Sequence, residues 1–157
     1  MTAAISTVLA RLKSDFEDAF VTSEGGDGSA NTVYGYRTNP GNKTRVTISL
    51  SYQGRVPTGS GRTASGDSPT FKILAGVGVT MDTDESGHIS ESELAAADAA
   101  LNAIEDGIYV LLGKGGLSNR NEYWLKVELV EDSQRPPQFP DMPNVRIGLI
   151  PFRLLMK

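Results

Sequence analysis

Cysteine is absent from this chain of 157 residues, and histidine occurs once, at His88. Without cysteine there is no disulfide framework, no thiolate nucleophile and no cysteine-held zinc or iron–sulfur site. A single histidine also argues against most histidine-based metal sites and catalytic triads. No window holds the ~18 apolar residues of a membrane-spanning helix. A signal peptide would need a basic start and an unbroken apolar stretch, and Arg11, Lys13, Asp15, Glu17 and Asp18 interrupt the one region that could supply it. The expectation is a protein kept where it is synthesised, with no membrane partner.

What remains is an ordinary globular composition. Hydrophobic residues make up 39% and charged residues 22%, with a net charge of −4, well outside the disordered class. The length suits one domain spanning 1–157, and no internal repeat or second domain is visible. The 17 glycines and 8 prolines cluster in a few places and predict long loops there.

Ile5, Val8, Leu9, Leu12, Phe16 and Phe20 recur at helical spacing, so residues 2–20 read as an amphipathic helix packed by one stripe. Val33, Tyr34 and Tyr36 precede a turn at 39–42, and residues 44–52 then alternate without a fault. Val46, Ile48, Leu50 and Tyr52 share one face, and these two runs are expected to form a hairpin. Phe71 to Met81 is a third strand, whose Gly76 and Gly78 imply a bend or a close backbone approach. A second helix is expected from about Ser90 to Leu112, with Leu94, Ala97, Leu101, Ile104, Ile108, Leu111 and Leu112 buried and a stop at Gly113. Tyr123, Leu125, Val127 and Leu129 alternate in a fourth strand. The last strand, Val145 to Met156, shifts its apolar face by one residue. That implies either a bulge near Pro151 or an edge where the missing N–H does no harm. The order α-β-β-β-α-β-β is that of an α+β domain, an antiparallel or mixed sheet of about five strands with two helices on one face.

Two long loops interrupt this pattern, a flexible one at 53–70 and a Pro-rich one at 132–144. Between Gly28 and Gly66 there is no acid, whereas Arg37, Lys43, Arg45, Arg55 and Arg62 all fall there. Such a stretch suits phosphate or an acidic partner. A solvated hairpin tip and loop explains it as well, and no aromatic interleaving supports base stacking. An α+β nucleic-acid-binding domain rests on this stretch alone. The string 59–64 formally fits the dinucleotide fingerprint, but no strand feeds it and no helix follows.

One motif carries specific chemistry. Residues 82–93 match a twelve-residue EF-hand calcium loop. Asp82, Asp84 and Ser86 offer side-chain oxygens, Gly87 the sharp turn, His88 its backbone carbonyl, Ser90 a direct or water-mediated ligand, and Glu93 a bidentate carboxylate. Calcium needs six to eight hard oxygens in a flexible cage, which this set could supply. The preceding segment has period two, however, so no entering helix is expected, and there is no second loop to pair with. A plainer reading also covers the string: Ser90 to Glu93 is a helix capping box preceded by turn residues. No cofactor is expected to be required, calcium being the one candidate, and no catalytic constellation is visible.

Taken together, the N-terminal helix, the run 44–52, the central helix from Glu91, the strand led by Tyr123-Trp124, the Pro-rich loop and the closing run 145–152 resemble the tail terminator (tail completion) proteins of long-tailed bacteriophages. The calcium-type loop is not part of that pattern. The resemblance implies a structural virion protein with no catalytic site. It would form a ring of six copies at the head-proximal end of the tail tube, in the tail or neck, after assembly in the host cytoplasm. Its implied partners are further copies of itself, the tail tube protein and the head–tail connector, with DNA passing through the ring without sequence recognition. The alternative is a small calcium-binding module built on 82–93.

Overall fold

Alternation along three long strands decides the layering of the molecule, for which the computed structural model describes residues 3–22, 31–34, 45–56, 69–113, 117, 122–129, 132–136 and 144–157. In β2 (Val46–Val56), Val46, Ile48 and Leu50 are buried while Thr47, Ser49 and Ser51 are half-exposed. In β3 (Thr70–Thr80), Phe71, Ile73, Ala75, Val77 and Val79 are buried. In β5 (Val145–Met156), Ile150, Phe152, Leu154 and Met156 are buried. These positions face one another across the ladders, as in Ile48↔Val77 and Ala75↔Ile150, so one face of the sheet is apolar.

Two helices cover that face. The α-helix α1 (Ile5–Glu17) buries Val8, Leu9, Leu12 and Phe16 and runs into a π-helical turn, Asp18–Thr22, that seats Phe20. Helix α2 (Glu91–Leu112) buries Ala97, Leu101, Ile108, Leu111 and Leu112. Both join the strands in a single apolar cluster. The fold is α+β. Its sheet runs β1-β2-β3-β5-β4, where β1 is Asn31–Tyr34 and β4 is Trp124–Glu128. The four strands from β2 to β4 are mutually antiparallel.

Three expectations need correction, and a fourth, left as two alternatives at Pro151, is decided. The first strand does not form a hairpin with β2, because β1 lies parallel to it with Asn31 beside Val46 and Tyr34 beside Ser49. A parallel neighbour cannot be reached by a tight turn. The loop expected from Gln53 begins later, since Gln53 to Val56 continue β2 past an irregularity between Tyr52 and Gly54. Residues 57–68, most of that loop, lie outside the described residues, as do 23–30, 35–44 and 137–143.

At Pro151 the structure decides between the two alternatives. The β3–β5 register runs unbroken from Thr70↔Leu155 to Thr80↔Val145, so there is no bulge at this proline. Leu149 exchanges both backbone bonds with Gln134 at 2.8 Å, on the side of β5 away from β3. By alternation the nitrogen of Pro151 points to that same outer side. It falls between the Gln134 bridge and the end of β4 at Glu128↔Arg153, where no ladder bond is lost.

The irregularity instead sits on β4, between Trp124 and Lys126. One extra residue reverses the faces of what precedes it. Trp124 is therefore fully buried, while Leu125, expected inside, is 38% exposed; Leu129, also expected inside, lies past the end of β4 and is 42% exposed. The glycines of β3 mark a close approach: a Cβ at Gly76 or Gly78 would stand 3.0 Å from the hydroxyl of Ser49 or Thr47. Among the described residues no helix is long and apolar enough to cross a membrane.

Candidate functional site

Met81 ends β3 deep in the core, and Ser90 caps α2, so residues 82–89 must bridge a strand end and a helix start in solvent. The bridge is organised by Asp84. Its Oδ1 accepts the backbone N–H of Ser86 at 2.9 Å, the Ser86 hydroxyl at 2.9 Å and the backbone N–H of His88 at 2.8 Å. Around it the backbone closes on itself, with the Gly87 N–H donating to the Asp84 carbonyl and the Asp84 N–H to the His88 carbonyl. Gly87 takes φ +83°, a conformation that favours glycine. The N–H of His88, then the Ser86 hydroxyl, hold the Asp84 carboxyl below the usual carboxylate range.

The capping half of the motif is present in altered form. The Ser90 hydroxyl accepts the Glu93 backbone N–H at 3.1 Å, as an N-cap should. The Glu93 carboxylate does not return to Ser90. Its Oε1 accepts the Asp82 N–H at 3.2 Å and lies 3.0 Å from Nη2 of Arg45, which stands at the head of β2. The strand end, the helix start and a neighbouring strand are thus tied at one carboxylate.

Asp82, Asp84, His88, Ser90 and Glu93 line one hollow of about 290 Å³, whereas Ser86 turns inward onto Asp84. The His88 carbonyl, expected to face an ion, is engaged by Asp84. Among the described residues no three carboxylate or imidazole groups converge as a metal-binding set. To serve as a bidentate ligand, Glu93 would have to give up Arg45, whose charge opposes a cation there. Of the basic stretch, only Arg45 and Arg55 lie among the described residues. Arg45 pairs with Glu93, and the Arg55 guanidinium sits 5.8 Å from the ring centre of Phe71.

A second polar cluster went unnoticed in the sequence. Asp98, Asn102 and Glu105 lie at helical spacing along α2, facing β5. Arg146 donates Nε and Nη2 to the two oxygens of Asp98 at 3.0 and 3.1 Å. Arg135 donates Nε to Glu105 at 2.8 Å and Nη2 to Asn102. The hydrogen bond to Glu105 raises the Arg135 pKa above its ordinary value. Glu105 is 8% exposed, within the helix's buried stripe. Its position between Leu101 and Ile108 was the available signal: a carboxylate in an apolar stripe needs a cation. The cluster borders a cavity of about 300 Å³ lined by Leu101, Pro136, Val145 and Ile147 as well as its charged groups. Both guanidiniums are committed to carboxylates, so its first role is to fasten β5 and the segment at Arg135 to the helix.

Compared with known proteins, the chain matches no family model and no curated protein.

Proposed function

We propose that this protein is a structural ring component of a virion, the terminator of a phage tail tube. It would end tube growth and present a surface to the head connector, and this reading assigns it no catalytic site. The observation that carries it is the distribution of unpaired surface. β1 and β4 are the two outer strands of the sheet, no further described strand lies beyond them, and Leu125 of β4 and Leu129 just past its end are partly exposed. A chain that repeats around a closed ring can protect such edges and apolar side chains against its neighbours. The polar clusters fit this role, because Arg45–Glu93 and Arg135–Glu105 fasten segments between elements.

The test is assembly. Native mass spectrometry and negative-stain microscopy of the chain, alone and with purified tail tubes, should give six-membered rings or density capping tube ends. A chain that stays monomeric with tubes present and leaves their ends bare overturns the reading.

The second reading is a small calcium-binding module, supported by the hollow that Asp82, Asp84, His88, Ser90 and Glu93 share. It requires Arg45 to leave Glu93 when the ion binds, and the two readings are compatible in one molecule.

A further inference from the structure

Along β4 and one residue past its end the chain reads Leu125-Lys126-Val127-Glu128-Leu129, a string that is its own complement when run backwards. A leucine stands at each end, a cation and an anion flank the centre, and Val127 is the centre. The backbone presents this string at an edge. Leu149 turns its N–H and C=O to the outer side of β5, so by alternation Arg153 does too, and its register partner Glu128 faces it. Glu128 and Lys126 therefore direct their backbone groups at β5, and the N–H and C=O of Val127 point away from it. No further described strand lies on that side, which leaves a template for pairing.

The side chains alternate in step. Val127 is buried on the helix-covered face beside Leu154. Lys126 and Glu128 lie on the open face, where they form an ion pair at 3.5 Å with side chains 63% and 37% exposed.

We propose that β4 pairs antiparallel with β4 of a second copy of this chain, about a twofold axis at Val127. The two Val127 residues exchange their backbone bonds. Lys126 and Glu128 of the other copy then form a non-hydrogen-bonded pair, the kind whose side chains stand closest. Each Lys126 meets the other copy's Glu128 while keeping its own, so four charges alternate in sign around a square and no existing ion pair breaks. At both ends Leu125 of one copy comes beside Leu129 of the other, which covers side chains that are 38% and 42% exposed.

The same charges select the register. Both apolar faces stay on one side of the joined sheet only if the axis falls at a residue rather than between two. An axis at Lys126 or at Glu128 would set like charges opposite each other. A strand of another protein fits equally well only if it repeats this order, which a second copy supplies by identity. The contact closes at two copies, so it concerns the free chain and does not rest on the ring reading. A ring that uses the β4 edge must displace it.

The test is sedimentation equilibrium of the full chain over a concentration series, without tail tubes. The parent should exchange between monomer and dimer. Lys126→Glu and Glu128→Lys each set like charges opposite one another and should weaken the dimer by about tenfold or more. Mixed in equal amounts, the two variants should pair with each other, because every opposing position again joins unlike charges. The double variant carrying both changes should dimerise as the parent does. A parent that is monomeric throughout, a dimer or larger species that neither reversal weakens, or single variants that stay apart on mixing overturns the proposal. If circular dichroism shows a single variant to be unfolded, the double variant decides: its dimerisation supports the pairing, and a folded, monomeric double variant overturns it.

Discussion

Gly148 makes room for Glu105. A Cβ on Gly148 would stand 2.7 Å from the Glu105 Oε1 and 3.2 Å from Leu101 Cδ1, because this residue of β5 faces α2 where the buried carboxylate meets Arg135. Gly148→Ala should therefore destabilise the fold by about 1–3 kcal/mol. Combining it with Glu105→Ala, which empties the same space, should recover part of that loss. A denaturant double-mutant cycle measures the coupling, and strict additivity would show that the two residues do not share the space.

The Arg135–Glu105 pair predicts an asymmetry. Arg135→Ala leaves a buried carboxylate without its cation and should cost about 1–3 kcal/mol. Glu105→Leu, which replaces the charge by an apolar group in an apolar stripe, should cost much less or stabilise, because the desolvation of the carboxylate is no longer needed. Equal losses in urea unfolding would mean that Glu105 is not the buried member.

The bulge on β4 is testable by truncation on either side. Trp124→Ala should cost about 3–5 kcal/mol, the range for a large aromatic deleted from a core. Leu125→Ala should cost less, about 1 kcal/mol, since that side chain is 38% exposed whereas Trp124 is fully buried. The reverse order would restore the uninterrupted alternation in which Leu125 faces inward.

Two carboxylates should respond to pH in opposite directions. The Asp84 pKa is lowered, first by the His88 N–H, so its contribution is present above its unfolded pKa and is lost as pH falls through its lower folded value. The Asp15 pKa is raised, with burial as the largest cause, against the opposing charge of Arg11. Asp15 therefore costs stability once both states are ionised, and that cost disappears as pH falls below its unfolded pKa. Measured by Tm from pH 7 down to pH 3, the deficit of Asp84→Asn relative to the parent should shrink. Any gain from Asp15→Asn should shrink over the same range. A deficit for Asp84→Asn that grows on acidification would contradict the loop geometry.

If calcium enters the 82–93 loop, it competes with a guanidinium. Arg45→Ala should then bind calcium more tightly than the parent chain in isothermal titration, and Glu93→Gln should not bind it. Indifference of both variants, or no heat in any of them, removes the loop from consideration as a calcium site. Ser90→Ala separates the capping role, costing about 1 kcal/mol with or without the ion.

Much of the fold was legible in periodicity. The stripe from Leu94 to Leu112 placed α2 to within a residue of Glu91, and the faultless alternation from Val46 to Leu50 marked the core face of β2. Ser90 was legible as a cap because its hydroxyl and the Glu93 N–H are neighbours along the chain. These are local relations, and helix and strand periods express them without knowledge of a partner.

The tertiary structure decided which strands meet, in what direction and in what register. Nothing in residues 31–34 says that they will lie parallel to β2, because the alternation along a strand carries no information on its neighbour's direction. The one-residue shift near Pro151 was visible as a break in pattern. The structure resolved it as an outward nitrogen on an intact ladder, with the true irregularity at Leu125 on the neighbouring strand. Arg45 on Glu93 and Arg135 on Glu105 join residues far apart in the chain, and only folding brings those charges within reach. The sequence by itself determined the elements and their apolar faces, since hydrophobic burial follows local spacing. The charge pairs depend on distant segments sharing one sheet and its covering helices, and that was decided only in three dimensions.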